Sequence, residues 1–210
     1  GETIARRILR DDGFAVARDR FVAEVGHALA RIHATDVTGV SGLLETDQVT
    51  QCRELLDATG AAHPAFELAL RWLEQHRPAS SPPRLVHGDF RLGNMVVASD
   101  GLRAVLDWEL AHLGDPAEDL GWLCVRAWRF GGRGEVAGLG SIEELLTAYR
   151  GAGGREVAAD EVHWWQVLGT LKWGIMCIVQ ADAHLSGAAR SHEIAAIGRR
   201  VCENEHDLFV

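Results

Sequence analysis

The stretch "RLVHGDFRLGNMVVASDGLRAVLDWE", residues 84–109, sets His87, Asp89, Asn94, Asp107 and Glu109 around two short apolar runs. Carboxylates and an amide at strand ends suit chemistry on a charged, oxygen-rich ligand. An amide oxygen and a carboxylate side by side are the hard ligands that Mg²⁺ takes, with phosphate and water completing its shell. A further carboxylate close by, not itself on the metal, suits a base that positions a hydroxyl. Asn94 and Asp107 fit the first role and Asp89 the second. Each residue alone is better explained as a turn or capping residue. Their joint spacing argues for a site. A weaker reading is a metal-dependent hydrolase built on Asp89, Asp107, His112 and Asp115; it needs a tighter ligand cluster, and Asp115 reads better as a helix cap.

The elements that must hold these residues follow from turn chemistry and periodicity. Asp100-Gly101 predicts a two-residue hairpin turn, because a type I′ turn needs positive φ at both central positions. In that register Val97 faces Ala104, Val96 faces Val105, Met95 faces Leu106, and Asn94 faces Asp107. Directly opposed residues have Cβ atoms about 4.5–5.5 Å apart, which brings amide and carboxylate together, and the loop "FRLG" lets Asp89 fold back beside them. Around the hairpin the pattern is helical. Residues 18–34 place Phe21, Val25, Ala28, Leu29 and Ile32 on one face. "DQVTQCRELLDA" and "PAFELALRWLEQH" read as two amphipathic helices, the second with Pro64 at a favourable first-turn position. "GDPAEDLGWLCVRAW" predicts a helix with Asp115 as N-cap, Pro116 at N1 and Glu118 at N3, and Ser141 with Glu144 repeats the capping box. "ADEVHWWQVLGTLKWGIMCIVQADAHL" is apolar on most sides and predicts a buried helix. "SHEIAAIGRRVCENEHDLF" predicts one closing helix. The expectation is a single α+β domain over residues 1–210, mostly helical, with a small β-hairpin carrying the site.

Composition narrows the function. The net charge is −9 and no basic stripe is present, which argues against nucleic acid. Among 21 basic residues only Lys172 is a lysine, and it lies in an apolar helical run with no Gly-rich loop before it, so a P-loop is excluded. Cys52, Cys124, Cys177 and Cys202 are scattered without a C-x-x-C pair, which indicates neither a zinc site nor a disulfide scaffold and fits a cytoplasmic setting. "GETIARRILRDDGF" lacks the apolar centre of a signal peptide, and no run approaches membrane-spanning length.

The run H-G-D-F-R-L-G-N has the spacing H-x-D-x-x-x-x-N of the protein-kinase catalytic loop. Together with V-L-D-W-E and G-D-P-A-E-D-L, it makes residues 85–122 resemble the aminoglycoside phosphotransferase and choline kinase superfamily. "GETIARRIL", "ALARIHA" and "GWLCVRAW" are most similar to its acyl-CoA-dehydrogenase-associated branch. The resemblance implies a kinase-like fold that transfers the γ-phosphoryl group of ATP to a small-molecule hydroxyl with Mg²⁺. By resemblance, Asp89 is the aspartate that accepts or orients the hydroxyl proton, and Asn94 and Asp107 are the metal ligands. His87 buttresses the loop, and Asp119 ties the following helix to it. Arg91 is a candidate phosphate contact, while Glu109 and Trp128 are candidates for the acceptor pocket. Asp107-Trp108-Glu109 stands where protein kinases carry Asp-Phe-Gly. No Gly-rich strand pair and no strand-borne lysine precede residue 84. The chain therefore reads as the C-terminal lobe alone, missing the N-terminal lobe and expected to be inactive by itself. The competing reading is a non-catalytic kinase-like module that binds a ligand or partner.

Overall fold

The computed structural model describes residues 1–210. The chain forms nine α-helices and two small antiparallel strand pairs: α1 (Ala5–Arg10), α2 (Ala15–His33), α3 (Gln48–Thr59), α4 (Pro64–Gln75), β1 (Arg84–Val86), β2 (Met95–Ala98), β3 (Gly101–Val105), β4 (His112–Gly114), α5 (Ala117–Cys124), α6 (Ile142–Gly151), α7 (Ala159–Leu185), α8 (His192–Ile197) and α9 (Val201–Asp207). The protein is mostly helical. No helix is long and apolar enough to cross a membrane. The chain divides into two units, Gly1–Thr46 with Ala79–Gln166, and Asp47–Pro78 with Val167–Val210.

The first unit holds the candidate site. Phe21, Val25 and Leu29 of α2 are buried, and Ala28 and Ile32 pack half-buried against the same core. Leu145 and Tyr149 of α6 join them. Gly26 permits that approach, because a Cβ there would meet Ala148 Cβ at 2.8 Å. Phe90, Leu92, Met95 and Val97 contribute from the hairpin side, and Ala117, Leu120, Leu123 and Cys124 from α5. Burial of this apolar surface is the main stabilising term. In β1–β4, Arg84 pairs with Gly114 and Val86 with His112. The loop that leaves β1 and the loop that enters β4 therefore emerge side by side.

The hairpin register differs from the sequence expectation. Ala98 pairs with Gly101 and Val97 with Leu102, so the turn residues are Ser99 and Asp100. A bulge then shifts the pairing, giving Val96 with Ala104 and Met95 with Val105. The cause lies on α2: Glu24 accepts the Leu102 N–H at 2.6 Å. Gly101, at φ 143°, gives the Glu24 carboxylate room that a Cβ would fill. Beyond the ladder, the Leu106 N–H donates to the Asn94 carbonyl at 2.8 Å. Asn94 thus opposes Leu106 rather than Asp107.

Two further expectations change. The Ser141–Glu144 capping box forms, but the one proposed for α5 does not. Asp115 accepts the Ala117 N–H at 2.9 Å, while Glu118 turns away to His112 Nε2 at 3.1 Å. β4 lays His112 over the first turn of α5, and a buried imidazole–carboxylate contact displaces the cap. The closing helix is also broken, into α8, a 3₁₀ turn over Gly198–Arg200, and α9. Gly198 sits against α7, where a Cβ would come within 2.8 Å of Ala181 Cβ.

In the second unit, α3 is capped by Asp47 and ends on Gly60 at φ 66°. Its core includes Cys52, Leu56, Phe66, Leu70, Leu73, Leu171 and Ile175. His63 stacks on Phe66 at 5.3 Å and bonds Glu205 at 3.1 Å.

Candidate active site

The loop after β1 is held from beneath by Asp119. This fully buried carboxylate, the third residue of α5, accepts the backbone N–H of His87 at 2.8 Å and of Gly88 at 3.0 Å. Its Oδ2 also accepts from His33 Nε2 at 3.1 Å, and the other nitrogen of that ring meets the Tyr149 hydroxyl at 2.8 Å. A carboxylate only accepts, so in that bond His33 Nε2 carries the proton. Burial works to raise the Asp119 pKa; the His33 bond and the loop N–H groups outweigh it and hold it below the ordinary aspartate value. Burial pushes the Tyr149 hydroxyl up to about 12. Gly88 is required where the loop turns: its φ is 79°, and a Cβ would lie 2.5 Å from the Leu110 carbonyl.

His87 carries the next layer. Its Nδ1 accepts the Asp89 N–H at 3.2 Å, so Nε2 is the donor to the Leu106 carbonyl at 2.9 Å. One imidazole ring thereby links the loop bearing Asp89 to the loop bearing Asp107. Trp108 packs over it at 4.6 Å between ring centroids.

Asp89 is surrounded by donors. Arg91 Nε lies 2.9 Å from Oδ1 and 3.1 Å from Oδ2. Trp122 Nε1 donates to Oδ1 at 2.8 Å, and Asn94 Nδ2 to Oδ2 at 2.6 Å. Asn94 Nδ2 also donates to the Asp89 carbonyl at 3.0 Å. The Arg91 guanidinium lies 5.1 Å over the ring of Trp128, which in turn lies 5.3 Å from the Trp122 ring. Asn94, with its nitrogen engaged twice, keeps its side-chain oxygen for another partner.

Asp107 is the opposite case. It is exposed, sits at φ 65°, and its carboxylate engages no protein group. Glu109, two residues on, is also exposed, whereas Trp128 is buried beneath Arg91. No three His, Cys, Asp or Glu side chains gather closely enough to hold a metal. The hydrolase reading needed such a cluster, and the structure does not assemble it. His112 is spent on Glu118 and on the Leu110 carbonyl, and Asp115 on Ser81, Ala117 and Arg155. What remains is one amide oxygen and one exposed carboxylate. That donor set fits Mg²⁺, which keeps several waters and binds substrate phosphates beside one or two carboxylates.

The polar roles of Trp122, His33 and Tyr149 lie outside the catalytic-loop motif. Signals for two of them existed. Trp122 follows Asp119 by three positions and shares its helical face, and His33 follows Leu29 by four on the buried face of α2. Tyr149 had no such signal.

The family described as "APH: Phosphotransferase enzyme family" matches residues 1–159. Mouse acyl-CoA dehydrogenase family member 11 is 31% identical over 173 residues, covering 70% of this chain and 22% of that protein. The chain spans less than a third of the length of such relatives. Among solved structures, a candidate aminoglycoside phosphotransferase from Ralstonia eutropha superposes with a TM-score of 0.73 at 20% identity, over 93% of this chain and 66% of that one. The GDP complex of aminoglycoside 2′-phosphotransferase-IIIa gives 0.63 at 17% identity, over 95% and 67%.

Proposed function

This chain belongs to the phosphotransferase enzyme family APH, and on that premise we propose that residues 1–210 form the catalytic C-terminal lobe of an ATP- and Mg²⁺-dependent enzyme that phosphorylates a small-molecule hydroxyl. The observation that carries the reading is the carboxylate Asp89 hydrogen-bonded to Asn94 at 2.6 Å, with Asp107 left exposed at the open end of the same hairpin. Asp89 orients the acceptor hydroxyl and takes its proton. The Asn94 side-chain oxygen and the Asp107 carboxylate hold Mg²⁺, which neutralises phosphate charge when bound. His87 and Asp119 keep the two loops in place, and the exposed Glu109 flanks the acceptor, while Trp128 supports that side of the site from beneath Arg91. Positioning and electrostatics supply most of the catalysis in such a transfer. The glycine-rich loop and phosphate-pairing lysine come, in this reading, from an N-terminal lobe that these residues do not contain.

The ion pair between Arg91 and Asp89 favours a second reading, a non-catalytic kinase-like module in which that carboxylate is structural. One experiment separates them: the longer protein containing this chain is incubated with radiolabelled ATP, Mg²⁺ and a panel of alcohols. Transfer that is lost on chelation and in Asp89→Asn supports the enzyme, and its absence with every acceptor supports the module. The 210-residue chain alone is expected to turn over nothing; turnover equal to that of the longer protein would overturn the two-lobe reading.

A further inference from the structure

The three donors on Asp89 are not equivalent. Trp122 and Asn94 are buried, at 4% and 6% exposure. Arg91 belongs to the loop and leaves 27% of its side chain open. Its Nε is shared between the two oxygens, at 2.9 and 3.1 Å, so it occupies the open edge of the carboxylate. An approaching hydroxyl must donate to that same edge, because the other positions on Oδ1 and Oδ2 are taken by buried donors.

We propose that Trp122 is the positioning residue that sets the plane of the Asp89 carboxylate, and that Arg91 is a placeholder which the acceptor hydroxyl displaces. This rests on the phosphotransferase reading. The two tasks of α5 lie three residues apart on one face: Asp119 holds the loop backbone, and Trp122 holds the side chain. The terminal torsion of an aspartate is broad, so backbone anchoring alone leaves the carboxylate free to turn. The indole N–H is a single donor on a rigid, buried ring, and with Asn94 on the opposite oxygen it removes that freedom. Arg91 has somewhere to remain when displaced, since its guanidinium already lies over Trp128. In the transfer, the acceptor oxygen bonds to the γ-phosphorus, the bond to the β–γ bridging oxygen breaks, and ADP leaves with that electron pair. The hydroxyl proton passes to the Asp89 carboxylate at the edge that Arg91 has vacated.

Steady-state kinetics of the longer protein test this, once wild-type turnover is established. Trp122→Phe is expected to lower kcat by about ten- to a hundred-fold, the scale of a roughly 1 Å misplacement, with both KM values within about twofold. Arg91→Ala is expected to lower the acceptor KM. Thermal unfolding of each variant shows whether the fold survives. In parallel, the indole N–H resonance of Trp122 in the 210-residue chain is expected to shift in Asp89→Asn and to exchange faster with solvent, a readout independent of turnover. A wild-type kcat in Trp122→Phe, a KM increase with kcat intact, or an indole signal indifferent to Asp89→Asn overturns the positioning role. An acceptor KM that rises in Arg91→Ala overturns the placeholder. A wild type with no turnover removes the phosphotransferase reading and this role with it, while an active wild type beside an unaffected Trp122→Phe removes the role alone.

Discussion

Asp89 and Asp107 stand on adjacent loops joined through one histidine ring, and the protein treats them in opposite ways. Asp89 accepts from three side chains and leaves 15% of its side chain exposed. Asp107 is open to solvent, has no protein partner, and sits in the left-handed region where a non-glycine residue costs about 1–3 kcal/mol. A carboxylate satisfied from several sides has its geometry set by the fold. One held in strained backbone with nothing to bind gains nothing within the chain, which is the pattern expected where a ligand completes the site.

The sharpest way to break this contrast is Asp89→Asn in the longer protein. It keeps the shape and removes the charge, and phosphoryl transfer should fall by roughly 10²–10⁴-fold, the range for a positioned proton acceptor. Near-normal turnover in a steady-state assay would place Asp89 among the structural residues. Next in size, Asp119→Ala should destabilise the fold by about 3–5 kcal/mol, because it leaves a buried imidazole and two loop N–H groups without their acceptor. A denaturant midpoint unchanged from wild type would show that the buried network is not what holds the loop.

Asp119 also gives the contrast a pH signature. Its folded-state pKa lies below that of an unstructured aspartate, about 3.9. Burial alone would raise it; the His33 and loop N–H bonds prevail. The unfolded chain therefore binds the proton first as pH falls. The stability Asp119 contributes is whole above about pH 5 and is lost as pH drops through the folded pKa. Urea unfolding from pH 7 down to pH 3 should show a steeper loss in wild type than in Asp119→Asn; equal slopes would contradict the assignment.

The smallest effect is expected at the open end of the hairpin. Asp107→Gly relieves the positive φ and should raise stability by about 0.5–1 kcal/mol, while weakening Mg·ATP binding in the longer protein far more than Asp100→Ala, a change at the exposed turn. Loss of stability in Asp107→Gly would mean that the aspartate side chain has a structural partner after all.

Much of this architecture is written locally. The faces carrying Phe21, Val25 and Leu29, the Ser141–Glu144 cap and the five-residue span from Asp89 to Asn94 follow from helical period, capping chemistry and loop length, each of which needs only neighbouring residues. The motif that places the chain in its family is equally local. The register of the hairpin was not legible, because Glu24, 78 residues before Leu102 in sequence, takes a backbone N–H that the turn residues alone would have assigned elsewhere. For the same reason Glu118 left its expected cap for His112, and Trp122, His33 and Tyr149 entered a polar network that no periodicity announces. Backbone preference is set by the residue and its neighbours, but the partner of a buried polar atom is whichever complementary group packing brings within about 3 Å, and only the folded chain decides that.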